Sequence, residues 1–185
     1  MKNQYLLLSA STTIAIGIIT AIASNSTLAS DLAFSCQSNE GTPTTIAKNS
    51  SGTEQPIFHW KLDEASISNT PEELCNSVTQ KLNTYATEGN DLSALTFKPA
   101  SVMSEDEEMT SLPAICVAGE GEPCKLPLFT LEPAENSLNN ESVASNALNS
   151  ILDPALQANP VKSPGRDRGV QSTSYQVNIW DLLGL

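Results

Sequence analysis

The side chains of this chain with the most reactive chemistry are four cysteines and a single histidine, His59. A cysteine thiolate can act as a nucleophile, bind a metal or form a disulfide, and a histidine can serve as its base. Structural zinc sites and redox enzymes use close pairs such as C-x-x-C, and the closest pair here, Cys116 and Cys124, is too widely spaced. We interpret His59 as a surface or edge residue of a strand. We therefore predict no catalytic cysteine, no metal site and no cofactor, and we expect disulfides.

The pairing of the cysteines is open, because four cysteines allow three connectivities. Residues 114–131, AICVAGEGEPCKLPLFTL, are typical of two strands joined by an enlarged, glycine-rich hairpin loop. Such a hairpin would bring Cys116 close to Cys124, which leaves Cys36 to pair with Cys75. This connectivity is our working hypothesis, and we expect the disulfides to compensate for a thin core in a domain of about 100 residues.

Carboxylates are the other side chains that could do chemistry. A calcium loop places its ligands on alternate residues around a sharp glycine turn, and the run EDEE at 105–108 lacks this pattern. Asp63 and Glu64 could be combined with Glu72 and Glu73 as an acid–base pair. Nothing in the sequence brings Asp63 within the separation of about 5–9 Å that glycosidases need. We therefore interpret EDEE as a solvated loop and keep a carboxylate hydrolase as the alternative function.

The element that carries Cys75 is the clearest in the sequence. Thr70 and Glu73 match a helix capping box, Pro71 suits the first helical position, and Gly89 is a natural stop. One apolar face recurs at helical spacing and consists of Leu74, Val78, Leu82 and Tyr85. The pattern predicts a helix over residues 71–87.

Six short segments rich in β-branched and aromatic residues flank this helix. They are DLAFSCQ, GTPTTIAK and PIFHWKL before it, and LSALTFKP, PAICVA and LPLFTL after it. We therefore predict an α+β fold: a small antiparallel sheet of about six strands with one main helix packed on it, stapled by disulfides and followed by a loose C-terminal tail.

The last third of the chain is looser in composition. We place the folded domain at 31–132, a C-terminal helix of the domain at 133–152, a linker at 153–173 and an apolar tail at 174–185. The tail could fold back onto the domain as an edge strand or short helix, bind another protein as a peptide, or lie at a membrane interface. For the last two alternatives, the predicted contacts with a protein partner or membrane surface are Trp180, Leu182 and Leu183.

The first 29 residues are typical of a secretory signal peptide. Lys2 precedes an uncharged apolar run at 5–23, and small polar residues follow. We expect cleavage after Ala29; cleavage after Ala23 and an uncleaved membrane anchor are the alternatives. Cleavage after Ala29 removes one lysine and no acid, so the net charge changes from −12 to −13. Because so acidic a surface is repelled by nucleic acid, we predict no nucleic-acid partner.

Seven segments in order form a set that resembles a known family: FSCQ, GTPTTIAK, PIFHW, TPEELCNSVTQKLNTY, LPAICVA, GEPC and LFTLEP. Over about residues 33–152 the chain is similar to the COP23 domain, the circadian oscillating protein family of cyanobacteria. The family's cysteines correspond to Cys36, Cys75, Cys116 and Cys124. The family usually has a short turn before the ICVA strand, where this chain has the longer acidic insertion KPASVMSEDEEMTSLP. The resemblance implies export and association with a membrane, and it supplies no catalytic residues.

The sequence therefore predicts an exported, non-enzymatic accessory or binding protein of a cyanobacterial envelope or thylakoid. We expect it in the periplasm or the thylakoid lumen, peripheral to the membrane, with a protein or membrane-surface partner that the sequence does not identify. The alternative is an extracytoplasmic hydrolase that uses carboxylate residues. The sequence does not disclose the oligomeric state.

Overall fold

The computed structural model describes residues 32–61, 69–90, 92, 95–104, 110–119, 123–133, 139–158, 160–162, 173–178 and 183. The predicted signal peptide and the acidic run at 105–108 lie outside these residues. Within them, three strands, a helix, three strands, a second helix and two strands follow in order, an α+β arrangement that confirms the predicted fold class. The strands form two antiparallel sheets, whereas the sequence predicted one.

The first sheet has the order β1–β2–β3. Its strands are β1 at Leu32–Asn39, β2 at Thr42–Asn49 and β3 at Glu54–His59. A two-residue turn joins β1 to β2, and both of its residues, Glu40 and Gly41, have positive φ values of 51° and 82°. This conformation matches the twist of an antiparallel hairpin, so the turn fixes the register in which Phe34 lies opposite Ala47.

The second sheet has the order β6–β5–β4–β8–β7. Its strands are β4 at Leu95–Met103, β5 at Ser111–Ala118, β6 at Leu126–Thr130, β7 at Pro160–Lys162 and β8 at Thr173–Val177. The six predicted strands correspond to β1–β6. The predicted linker and loose tail contribute β7 and β8, with a 3-10 turn at Leu156–Ala158. Part of the C-terminal segment therefore belongs to the sheet, because β8 lies between β4 and β7.

Helix α1 spans Pro71–Thr87, as predicted, and begins with the predicted capping box. The backbone N–H of Glu73 donates to Thr70 Oγ1 at 3.3 Å, and that of Thr70 donates to Glu73 Oε2 at 2.9 Å. Helix α2 spans Asn140–Ile151. It occupies only part of the range 133–152, because Asn139 caps it by accepting a hydrogen bond from the backbone N–H of Glu141.

A shared hydrophobic core joins the two sheets. Phe58 of β3 meets Phe97 of β4 edge to face, with ring centroids 4.8 Å apart. Trp60, just after β3, meets Phe129 of β6 in the same way at 5.2 Å. The indole N–H of Trp60 donates to Thr45 Oγ1 at 2.9 Å, so the polar atom of this buried ring is satisfied. These aromatic contacts pack the first sheet against the second.

Helix α1 links one outer strand of each sheet. The side-chain amide of Asn83 donates to the carbonyl of Phe34 in β1 and accepts from its N–H, both at 2.8 Å. Lys81 Nζ donates to the carbonyls of Pro127 and Leu128 in β6, at 3.0 and 2.7 Å. Residues two apart on a helix point to nearly opposite sides. Helix α1 therefore lies between β1 and β6 and satisfies backbone groups of both.

Candidate functional site

One disulfide connects the first sheet to α1. Cys36 of β1 pairs with Cys75 of α1, with Cα atoms 5.6 Å apart. Cys75 is completely buried, and its sulfur lies 3.7 Å from the hydroxyl oxygen of Thr45 in β2. The bridge therefore fastens the helix to the core face of the first sheet.

The other disulfide closes the hairpin between β5 and β6. Cys116 of β5 pairs with Cys124, two residues before β6, with Cα atoms 5.4 Å apart. Both disulfides have the connectivity of our working hypothesis. No cysteine in the described part of the chain is free. Because a thiolate is needed for nucleophilic or metal-binding chemistry, the four cysteines cannot act in either way while they are bridged.

His59 joins β3 to the segment after α2. Its Nε2 atom lies 2.7 Å from Asp153 Oδ2, and its Nδ1 atom lies 3.4 Å from Thr44 Oγ1. The same segment is held by a hydrogen bond from the Asp153 N–H to the carbonyl of Ile57, at 2.9 Å. His59 thus lies at an outer strand, as the sequence suggested, but its side chain is only 25% exposed.

Thr44, His59 and Asp153 have the residue types of a nucleophile, its base and the acid that orients the base. Their contacts connect segments of the fold. Thr44 is completely buried, and its hydroxyl donates to the carbonyl of Thr42 at 3.2 Å. Asp153 Oδ1 accepts from the backbone N–H of Ala155 at 2.9 Å, which orders the turn after α2. Both nitrogens of His59 are engaged. Because Thr44 is buried and Asp153 follows α2, these contacts join the first sheet to the segment after α2.

Sequence reasoning missed Asp153 as the partner of His59. The two residues are 94 positions apart, and no periodic pattern relates them. The available local signal was the Asp-Pro pair at residues 153 and 154, which is typical of a turn rather than a site.

The carboxylates have local roles or lie outside the description. Asp63, Glu64 and the run at 105–108 are outside the described residues. The backbone hydrogen bond from Thr70 lowers the pKa of Glu73, which fits its capping role. Glu54 pairs with Lys48 at 3.0 Å across the first sheet. Among the residues that the structure describes, no group of three or more histidine, cysteine or acidic side chains could hold a metal ion.

The three predicted contacts with a partner or membrane have different positions. Trp180 and Leu182 lie outside the described residues. Leu183 is only 3% exposed and belongs to the shared core, and its carbonyl accepts from Asn49 Nδ2 at 3.3 Å. Its side chain is therefore not available at the surface. None of the described helices has both the length and the apolar character that crossing a bilayer requires.

A family of known proteins matches most of this chain. The family model for circadian oscillating protein COP23 matches residues 33–183. The match extends past residue 152 and includes β7, β8 and Leu183, which the structure also places in the fold. No curated protein and no solved structure gives a significant match. Because the family model covers most of the chain, this protein belongs to the COP23 family.

Proposed function

We propose that this chain is an exported, non-enzymatic accessory or binding protein of a cyanobacterial envelope or thylakoid. The observation that carries the proposal is the use of its reactive side chains. The four cysteines form two disulfides, and both nitrogens of the histidine hold neighbouring segments together. The cysteines and the histidine therefore support a role in stabilising the fold.

Export is supported by two independent features. Disulfides form and persist in oxidising compartments and are rare in the cytosol. The first 29 residues have the charge, apolar run and small-residue exit of a secretory signal. Together they favour the periplasm or the thylakoid lumen, and the membrane association of the protein is then peripheral.

The state of the N-terminus and the sulfurs tests export. The protein would be isolated from a cyanobacterial host under iodoacetamide without reductant, and its intact mass measured. We expect a chain that begins at Ser30 and carries no alkylated cysteine. A matched variant, Ile16→Arg, places a charge in the apolar run; it should stay in the cytosol with its N-terminus intact and four alkylated cysteines. A wild-type chain found in that second state would contradict the proposal.

Peripheral association is tested on the same material. Membranes would be washed with high salt and then with alkaline carbonate, and the protein followed in each fraction. We expect release by one of these washes, because the mature chain has lost the apolar run at residues 5–23. Retention after both washes, together with an uncleaved N-terminus, would support an anchored protein instead.

The hydrolase alternative is tested with a panel of ester, glycoside and peptide substrates. We expect no turnover above that of a protein-free blank; the Asp153→Asn variant, which retains the shape of the side chain but lacks its charge, is measured alongside. Turnover that this variant loses, with its thermal unfolding unchanged, would show that the pair of His59 and Asp153 is catalytic.

A further inference from the structure

The outer strands of the two sheets are protected in different ways in the described part of the chain. An outer strand exposes backbone groups that can pair with another chain, and proteins usually block them. Strand β3 contains Pro56, which has no N–H to offer, and the carbonyl of Ile57 accepts from the backbone N–H of Asp153. Strand β6 contains Pro127 and is bound by Lys81. Strand β7 has only three residues and begins with a proline.

Strand β1 has none of these local defences. It is eight residues long, and its sequence LAFSCQSN contains no proline and no charged residue. Its protection comes from α1, through the two hydrogen bonds of Asn83 to Phe34 and the disulfide between Cys36 and Cys75. The blocking group of β1 is therefore a helix fastened by a bond that reduction can break.

We propose that β1 is a concealed self-association edge, which pairs with β1 of a second copy when α1 is released from it. The N–H and carbonyl of Phe34 both bind Asn83, so they point away from β2. Since these directions alternate along a strand, the outward groups belong to every second residue. They are those of Leu32, Phe34, Cys36 and Ser38.

These outward groups allow a symmetric antiparallel pair. If the two-fold axis passes through Ser35, Phe34 of one copy lies opposite Cys36 of the other, and Leu32 lies opposite Ser38. Each outward residue then exchanges backbone hydrogen bonds with an outward residue of the second copy, and the same surface serves both copies. A two-fold arrangement therefore pairs the outward N–H and carbonyl groups of β1 in both copies, and no other surface of the protein is needed.

Charge favours this strand as the contact. The chain carries a net charge of −12, so most ways of bringing two copies together place acids against acids. Strand β1 is uncharged. In the register above, residues 32–38 of the two copies lie opposite one another and bring no charged side chains together.

The release step is a reduction. A dithiol reductant supplies two electrons and two protons to the bond between the sulfurs of Cys36 and Cys75. Two cysteine thiols form, and the reductant becomes a disulfide. Without the covalent bond, the two hydrogen bonds of Asn83 and the packing of α1 compete with the pairing of a second strand.

The test measures association by sedimentation velocity over a concentration series of the purified exported protein. Two variants weaken the attachment of α1 to β1. The first is Cys36→Ser with Cys75→Ser, and the second is Asn83→Ala, which leaves both disulfides in place. We expect the wild type to be monomeric and each variant to form dimers, with dissociation constants at least about tenfold lower than that of the wild type. The double variant should associate more tightly than Asn83→Ala.

Two controls locate the contact. Ser38→Pro removes an outward N–H and leaves the hydrogen bonds between β1 and β2 in place. Adding it to either of the two variants should therefore abolish the dimer. Cys116→Ser with Cys124→Ser removes the other disulfide and should leave the protein monomeric. If the double variant does not fold, the Asn83→Ala protein is measured after treatment with a dithiol reductant. A folded, monomeric double variant, or a folded, monomeric and reduced Asn83→Ala protein, would overturn the proposal, as would dimers that survive Ser38→Pro.

Discussion

The two disulfides close loops of different lengths in different parts of the fold. The bridge between Cys36 and Cys75 spans 39 residues and joins a strand to a helix, whereas the bridge between Cys116 and Cys124 spans 8 residues within one hairpin. The first restricts the unfolded chain more, and it holds together elements that meet only in the folded state. The second reinforces two strands that a ladder of backbone hydrogen bonds already joins. Similar bonds can therefore serve different purposes.

The largest expected effect is the loss of the long-range bridge. Replacing Cys36 and Cys75 with serine should lower the free energy of unfolding by about 4 kcal/mol, from the entropy of a loop of this length. Urea denaturation measures the change, at a protein concentration low enough that the variant is monomeric. A loss under about 1 kcal/mol would contradict the argument from loop entropy.

The short bridge should matter less. Replacing Cys116 and Cys124 with serine should lower the free energy of unfolding by about 2.5 kcal/mol, because its loop is shorter. The same urea titration gives the comparison directly. If this variant lost more stability than the first, loop length would not explain the difference between the two bridges.

Asn83 provides a smaller, non-covalent test of the contact between β1 and α1. Asn83→Ala removes two hydrogen bonds to the backbone of Phe34 and should destabilise the fold by about 2 kcal/mol. The control is Asn76→Ala on the same helix; among the described residues, its side chain bonds the carbonyl of Glu72, four residues before it, and no other group. Equal losses in the two variants would mean that the link to β1 adds nothing beyond the helix itself.

The smallest expected effect concerns the start of α1. The pKa of Glu73 is lowered in the folded protein by the backbone hydrogen bond from Thr70, so the ionised side chain stabilises the fold. This stabilisation is present above the ordinary pKa of 4.5 and is lost as the pH falls through the lowered folded pKa. Thermal unfolding should therefore separate the wild type from Glu73→Gln at pH 7 and bring them closer at pH 3. A gap that does not change with pH would contradict this.

The sequence predicted the parts of the fold whose signals are local. Helix α1 was placed correctly because its cap, first proline and apolar face all lie within its own residues. The hairpin after Cys116 also pointed to the disulfide connectivity. A strand that folds back onto the domain was one of the alternatives for the tail, but the place of β8 inside the sheet was not predicted, because its register is set by β4, far away in the chain. Strand β7 is too short to show a pattern. The contact between His59 and Asp153 needed the same long-range information.

The position of β8 has a consequence for the order in which the molecule can be completed. Residues 173–177 pair with β4 on one side and β7 on the other, so the five-stranded sheet is complete only when these residues have been made. Because synthesis runs from the N-terminus, the edge of β4 that pairs with β8 stays uncovered until these residues have emerged.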